Sequence, residues 1–309
     1  MEGKTATTRT GWSPPRLPNE IYRLIISQVN DFDEFRKNTL LALVYSCKLF
    51  NRIGEEYLYS QTPNFLEEDE AAGFLRSLEL QPKRALYVRS VIYDYDNLTE
   101  LSMQCSNLQE LKIWSSLTLS GDLEQACKNW GSTLRMLKIR SIVELSDWIV
   151  QIMPHMTALT TLVLDRACAI DSDDIQAIAE SKAPLQQITL PGLYCPQDEA
   201  AEGSEDEADE ETNDAIAIMI TAHSSTLRHI GLEYAKVSRH VLESCKKAKK
   251  LITLDIQLAY SPSAEEVDDL LDSCPHLSDY TRIFSYFSLR VDEWNMRQTT
   301  EVPEATFDF

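Results

Sequence analysis

One short apolar pattern, L-x-x-L-x-L with Ile allowed for Leu, recurs through most of the sequence. Copies begin at Leu108, Leu134, Leu159, Leu185, Leu227 and Leu251, with a degraded copy at Leu277. The L-x-L part alternates apolar and polar residues, as a strand with one buried face does, and a helical pattern follows each copy. One strand and one helix cannot bury their own apolar faces, so neighbouring units must stack. The sequence therefore predicts an α/β fold, a solenoid with parallel strands on its concave side and helices on its convex side.

One interval between copies is longer than the others. Successive copies are 26, 25, 26, 42, 24 and 26 residues apart, and the long interval contains an acidic run, residues 198–214, with ten Asp and Glu. Because the excess of 16 residues is close to the length of this run, we interpret residues 197–213 as a loop inserted into one unit. The run is either a solvated loop or an electrostatic attraction for a basic partner.

The sequence also predicts where several helices begin or end. Asp171 or Ser172 is the expected N-cap of one helix. Ser263 and Glu266 have the spacing of a capping box at another. Pro154 is expected to end a third helix.

The period-2 alternation predicts which strand side chains leave the buried face. Aligned copies give one row of Lys112, Lys138, Val163, Thr189, Gly231 and Asp255. The row beside it is Trp114, Arg140, Asp165, Pro191, Glu233 and Gln257. The N-terminal end of this surface is thus basic and aromatic, and its C-terminal end is acidic. As target-binding residues we predict Lys112, Trp114, Lys138, Arg140 and Asp165; for Trp114 and Arg140 the alternative is ordinary solvated surface.

The N-terminal segment has too much apolar surface for its size. Pro18 suits a first helical turn, and Ile21, Leu24 and Ile25 lie on one stripe of the helix that follows. A second apolar-rich helix includes Leu40, Leu43 and Phe50. Two short helices cannot bury all of this surface in each other, which predicts a partner helix. The alternative is a helical cap on the open end of the repeat stack.

Composition excludes several classes of function. The net charge of −20 argues against broad binding of nucleic acid or of an anionic membrane surface. The sequence contains no GxSxG, Walker loop, GxGxxG or HExxH motif, so we expect no enzyme, no metal and no cofactor. No secretory signal is present, so the seven cysteines are expected to be reduced and mostly buried, in the cytoplasm or nucleus.

The period resembles the cysteine-containing form of the leucine-rich repeat, over about Val88 to Arg282. "CSNLQELKI" and "CPHLSDY" place Cys105 and Cys274 at that form's first Cys position. The N-terminal segment resembles an F-box of fungal style, through Leu17, Pro18, Glu20 and Ile21 at its start and Ser46, Cys47, Lys48 and Phe50 near its end.

The F-box resemblance implies docking to the Skp-type adaptor of an SCF (Skp–cullin–F-box) ubiquitin ligase. The residues expected to bind the adaptor are Leu17, Pro18, Glu20, Ile21, Leu24, Ile25, Leu40, Leu43 and Phe50. The repeats are then expected to bind a target protein. The alternative function is a non-catalytic scaffold acting outside a ligase.

The corresponding domain prediction has five parts. They are a flexible N-terminus at 1–16, the F-box at 17–60, a helical connector at 61–87, the repeats at 88–290 and a C-terminal segment at 291–309.

Overall fold

The structure is a computed structural model. It describes residues 18–27, 39, 42–60, 63–65, 68–93, 98–114, 120–140, 148–165, 170–191 and 210–278. Its internal contacts divide the chain into two compact units, Met1–Gln61 and Thr62–Phe309. This division falls next to the predicted boundary at residue 60. The predicted N-terminal and C-terminal segments, 1–16 and 291–309, lie outside the described residues.

The N-terminal unit is helical. It contains α1 (Asn19–Ser27), a helical stretch over residues 42–46, and α2 (Lys48–Ser60). Its core is built on Ile26 and Ile53, and Tyr22, Leu43 and Phe50 are among the partly buried residues packed against them. The rings of Tyr22 and Phe50 meet edge to face, with centroids 5.4 Å apart.

The second unit alternates strands and helices. Its strands are β1 (Ser90–Ile92), β2 (Glu110–Ile113), β3 (Met136–Arg140), β4 (Thr161–Asp165), β5 (Gln187–Leu190), β6 (His229–Val237) and β7 (Thr253–Leu258). Its α-helices are α3 (Glu68–Leu80), α4 (Leu98–Gln104), α5 (Ser120–Trp130), α6 (Trp148–Ile152), α7 (Ser172–Glu180), α8 (Glu210–His223), α9 (Arg239–Cys245) and α10 (Ala264–Ser273). Short 3-10 helices span Arg84–Leu86 and Met153–His155.

Within the described residues, the seven strands form one sheet in which every pair is parallel and the strand order follows the chain. Each helix from α3 to α10 contacts the next helix along the chain. The sheet and the row of helices are the two layers of the predicted α/β fold. The first Leu of every copy of the pattern, from Leu108 to Leu277, is buried between them.

Within the second unit, neighbouring strand–helix repeats lie so close together that one position requires a glycine. A Cβ at Gly131 would overlap the backbone carbonyl of His155 in the next repeat. Beside it, the indole Nε1 of Trp130 donates to the carbonyl oxygen of Cys105, at 2.9 Å. Trp130 thus fills the core while its one polar atom remains hydrogen-bonded.

The predicted helix ends are confirmed. Asp171 is the N-cap of α7, and its carboxylate accepts a hydrogen bond from the backbone N–H of Asp174 at 2.9 Å. Ser263 and Glu266 form the capping box at the start of α10. Helix α6 ends at Ile152, and Pro154 lies in the 3-10 turn directly after it.

The C-terminal limit predicted for the acidic insert, residues 197–213, is wrong. Helix α8 already begins at Glu210, and Thr212 and Asn213 are buried. The side-chain oxygen of Asn213 accepts a hydrogen bond from the backbone N–H of Ser238, the N-cap of α9, at 2.8 Å. Residues 210–213 are therefore part of the packed fold, and the rest of the insert, 197–209, lies outside the described residues.

Every described cysteine is a free thiol, and all of them except Cys47 are buried. Burial raises the pKa of Cys105, Cys127 and Cys245 to about 12. These thiols act as small apolar core residues, as the sequence predicts.

Candidate protein-binding surfaces

The strands leave one face of the sheet accessible. Buried residues alternate with half-buried or exposed residues along β2, β3, β4, β5 and the first part of β7. Leu111 and Ile113 are fully buried, whereas Glu110 and Lys112 are half-buried. We call the surface formed by the outward-pointing strand residues the open face.

The first predicted row across the open face is confirmed residue by residue. Lys112 pairs with Lys138, Lys138 with Val163, Val163 with Thr189, Thr189 with Gly231, and Gly231 with Asp255. The structure adds Ile92 of β1 at its beginning. We call this set the lysine row.

In the second predicted row, one pairing between neighbouring strands is confirmed and another is wrong. Arg140 pairs with Asp165 as predicted. Gln257, however, lies opposite Lys236 and not opposite Glu233, because the register of β6 against β7 shifts between Gly231 and Lys236. Five residue steps on β6 span the same distance as the two steps from Asp255 to Gln257 on β7. The C-terminal end of the open face is therefore not the regular continuation that the repeat spacing predicts.

Two of the predicted target-binding residues bind each other. The Nε of Arg140 lies 3.3 Å from a carboxylate oxygen of Asp165. Lys112 likewise has its Nζ 3.6 Å from a carboxylate oxygen of Glu110 on the same strand. Their charges are partly neutralised within the open face, which is less basic at this end than the sequence predicts.

Lys138 differs from these cations. In the part of the chain that the structure describes, no carboxylate lies within salt-bridge distance of its Nζ. Its registered neighbour on β2 is another lysine, Lys112, about 4.8 Å away from backbone to backbone. Like charges directly opposite each other destabilise a sheet. Because Glu110 neutralises part of the Lys112 charge, the positive charge that remains at this point is centred on Lys138.

A flat aromatic side chain stands next to this point. Trp114 follows β2 immediately and is 42% exposed. Tryptophan combines a large apolar area with one polar atom and is enriched in binding hot spots. Lys112, Trp114 and Lys138 therefore lie close together on the open face, and their predicted role in target binding stays a prediction.

One residue of the open face was not identified from the sequence. His229, the first residue of β6, has its Nδ1 2.9 Å from the hydroxyl of Thr253 on β7. Burial and, to a lesser extent, the positive charge of Arg228 hold the pKa of His229 below its usual value. Its ring is thus a neutral hydrogen-bonding group at neutral pH. The available signal was its position at the start of an L-x-x-L-x-L strand.

The N-terminal unit carries the second candidate surface. Pro18, Glu20, Ile21, Leu24 and Ile25 of the predicted adaptor-binding set are all exposed. The exposed fractions of the three apolar helix residues are 39% for Ile21, 56% for Leu24 and 43% for Ile25. We call these three residues the α1 stripe.

Other members of the adaptor-binding set lie elsewhere. Leu43 and Phe50 are half-buried and pack against the core of the N-terminal unit, so they are less accessible than the α1 stripe. Leu17 and Leu40 lie outside the described residues. Tyr45, which was not in the predicted set, is 82% exposed on the helical stretch over residues 42–46.

Metal-binding clusters and membrane-spanning helices are both absent from the part of the chain that the structure describes. Among the described residues, no three His, Cys, Asp or Glu side chains are grouped so that they could hold a metal ion. No described helix combines the length and the apolar character needed to span a bilayer. Comparisons with models of known protein families and with curated proteins find no match to this chain.

Proposed function

We propose that this protein is the substrate-recognition subunit of an SCF-type ubiquitin ligase. Its N-terminal unit would be an F-box that binds the Skp-type adaptor, and its second unit would be a leucine-rich-repeat solenoid that binds a target protein. The observation that carries the proposal is the α1 stripe. Three large apolar side chains on one short helix are exposed while the opposite side of the helix, at Ile26, is buried. An exposed apolar helix face of this kind favours a helical partner.

The sequence adds the identity of the partner. The stripe directly follows Leu17, Pro18 and Glu20, which are the residues that resemble the start of an F-box. Pro18 and Glu20 are exposed beside the stripe. A residue pattern typical of adaptor docking and an accessible apolar surface therefore coincide on the same helix.

The second unit supports the other half of the proposal. A parallel sheet in chain order, one helix per strand and a spacing near 26 residues are the features expected of stacked repeats. Their open face offers Lys112, Trp114 and Lys138 to an acidic or phosphorylated segment of a target. The ligase chemistry would then take place on other subunits, and this chain would raise the effective concentration of a target lysine near them.

A pull-down of the Skp-type adaptor with the full chain tests the proposal. Replacing Leu24 and Ile25 together by Asp should abolish capture of the adaptor and leave thermal unfolding nearly unchanged, since both side chains are already exposed. The matched control replaces Leu80 and Met103 by Asp, because these side chains are 73% and 69% exposed in the second unit. The control should capture the adaptor like the parent.

Two results would contradict the proposal. If the parent chain captures no adaptor, a scaffold outside a ligase becomes the better interpretation. If the Leu24 and Ile25 variant loses many degrees of thermal stability, the stripe stabilises the fold, as a helical cap would.

A further inference from the structure

We infer that the edge of the sheet where the strands begin is a second docking surface, for a short acidic segment of a partner protein. It is formed by the residue that directly precedes each described strand and by Ser278, whose N–H donates to the residue before β7, and it is independent of the proposed function. Three of these residues are arginines: Arg89 before β1, Arg135 before β3 and Arg228 before β6.

Backbone hydrogen bonds align these positions. The carbonyl oxygen of Arg89 accepts from the N–H groups of Gln109 and Glu110. The carbonyl oxygens of Gln109, Arg135, Thr160, Gln186 and Arg228 each accept two backbone N–H groups in the same way, and that of Ile252 accepts the N–H of Ser278. These residues therefore form a continuous row across the sheet, which we call the rung. The rung consists of Arg89, Gln109, Arg135, Thr160, Gln186, Arg228, Ile252 and Ser278.

The composition of the rung is unusual for this protein. It contains three Arg and no acidic residue, although the chain has 49 Asp and Glu among its 309 residues. Its other members include the amides of Gln109 and Gln186, which can donate hydrogen bonds. Arg89, Arg135 and Arg228 are all exposed, and within the described chain none of them lies within salt-bridge distance of a carboxylate.

Helix dipoles explain why a lysine such as Lys128 lies near this edge, but they do not explain the three arginines. The helices run opposite to the strands, so their negative ends lie here and attract cations in the last helical turn. Lys128 is such a residue, and its Nζ also pairs with Glu124 at 2.6 Å. Arg135 and Arg228, in contrast, come five residues after the ends of α5 and α8, at Trp130 and His223. The dipole effect does not extend that far.

The geometry indicates what the rung fits. Five strand spacings separate Arg89 from Arg228, a distance of about 24 Å, which an extended peptide covers with about seven residues. Guanidinium groups bind carboxylates through paired hydrogen bonds, and the Gln amides can donate to peptide carbonyls. A long nucleic acid is disfavoured because the net charge of −20 opposes a polyanion that extends beyond the rung.

The test measures binding of a fluorescein-labelled octaglutamate peptide to the full chain by fluorescence anisotropy at low salt. Replacing Arg89, Arg135 and Arg228 together by Gln should raise Kd at least about tenfold, since each exposed pair contributes modestly and three are lost. The matched control replaces Lys182, Lys249 and Lys250 by Gln, because these exposed lysines near the same edge lie outside the rung. It removes the same charge and should change Kd less than about threefold. The single variant Arg135→Gln, expected to weaken binding about threefold, decides the question if the triple variant does not fold.

Three results would overturn the inference. The first is that the parent does not bind octaglutamate. The second is that both triple variants weaken binding equally, which would mean that only total charge matters. The third is that labelled octathymidylate binds more tightly than octaglutamate, which would point to nucleic acid. Lys112, Trp114 and Lys138, the predicted target-binding residues, lie outside the rung and are unchanged in every variant, so none of these results bears on the proposed function.

Discussion

The registered pair of Lys112 and Lys138 should make the protein less stable than it could be. Their backbones are about 4.8 Å apart, and the long side chains can separate their charges to about 7 Å. At that distance two unit charges in water repel each other by about 0.6 kcal/mol, within the range of about 0.2–1 kcal/mol for cross-strand pairs. The carboxylate of Glu110, 3.6 Å from the Nζ of Lys112, offsets part of this repulsion, so the value is an upper limit. Lys138→Met removes the repulsion, so the free energy of unfolding should rise by up to about 0.6 kcal/mol. Lys138→Glu turns the repulsion into attraction and should raise it by up to about 1.2 kcal/mol.

Urea denaturation is the suitable measurement, because urea is uncharged and leaves the electrostatics unscreened. The same curves in about 1 M salt should lose most of the difference, since the screening length falls to about 3 Å. Lys182→Met and Lys182→Glu are the matched controls, because Lys182 is exposed outside the strands. They change the net charge equally and should not stabilise the protein. The reasoning is refuted if both Lys138 variants are less stable than the parent, or if their gain persists in high salt.

Two further predictions concern the acidic insert and the thiols. Deleting residues 197–209 should leave the melting temperature unchanged or slightly higher. Extending the deletion through Thr212 should lower the melting temperature by several degrees, because Thr212 is buried. Equal melting temperatures for the two deletions would contradict the assigned start of α8. In a Cys168→Ser and Cys195→Ser background, Ellman's reagent should modify Cys47 rapidly and the buried cysteines only on unfolding. The backbone N–H of Phe50 donates to the Sγ of Cys47 and lowers the pKa of that thiol. As the pH is raised, the rate of modification of Cys47 should therefore reach half its maximum at a pH below the usual thiol pKa; a midpoint at or above that value would refute the argument.

The lysine row could be predicted from the sequence because it depends only on period and alternation. A constant repeat length places equivalent residues on neighbouring strands, and the buried leucines fix which side chains point outward. The prediction was wrong where the strands themselves are irregular. Between Gly231 and Lys236 the segment "LEYA" contains neither Gly nor Pro, so its residues do not predict the change of register.

Other features of the structure could not be predicted because local sequence does not distinguish them. Acidic residues are favourable both in solvated loops and in the first turn of a helix, so Glu210 and Glu211 looked like part of the insert. Phe50 belongs to an apolar stripe, but only the position of Tyr22 shows that its ring faces the core. Arg140 and Asp165 were placed side by side in the predicted row, yet each was assigned to a target and not to its neighbour.

The pairing of every strand with its neighbour in the chain has a consequence for the order of folding. Contacts between successive units close loops of about 26 residues, so structure can spread from one unit to the next without distant segments meeting first. The interval of 42 residues between β5 and β6 is the exception. Closing it costs about 0.4 kcal/mol more than closing a 26-residue loop. Folding of such an array can begin in any repeat, so the junction between β5 and β6 is the place where spreading from one repeat to the next should be slowest.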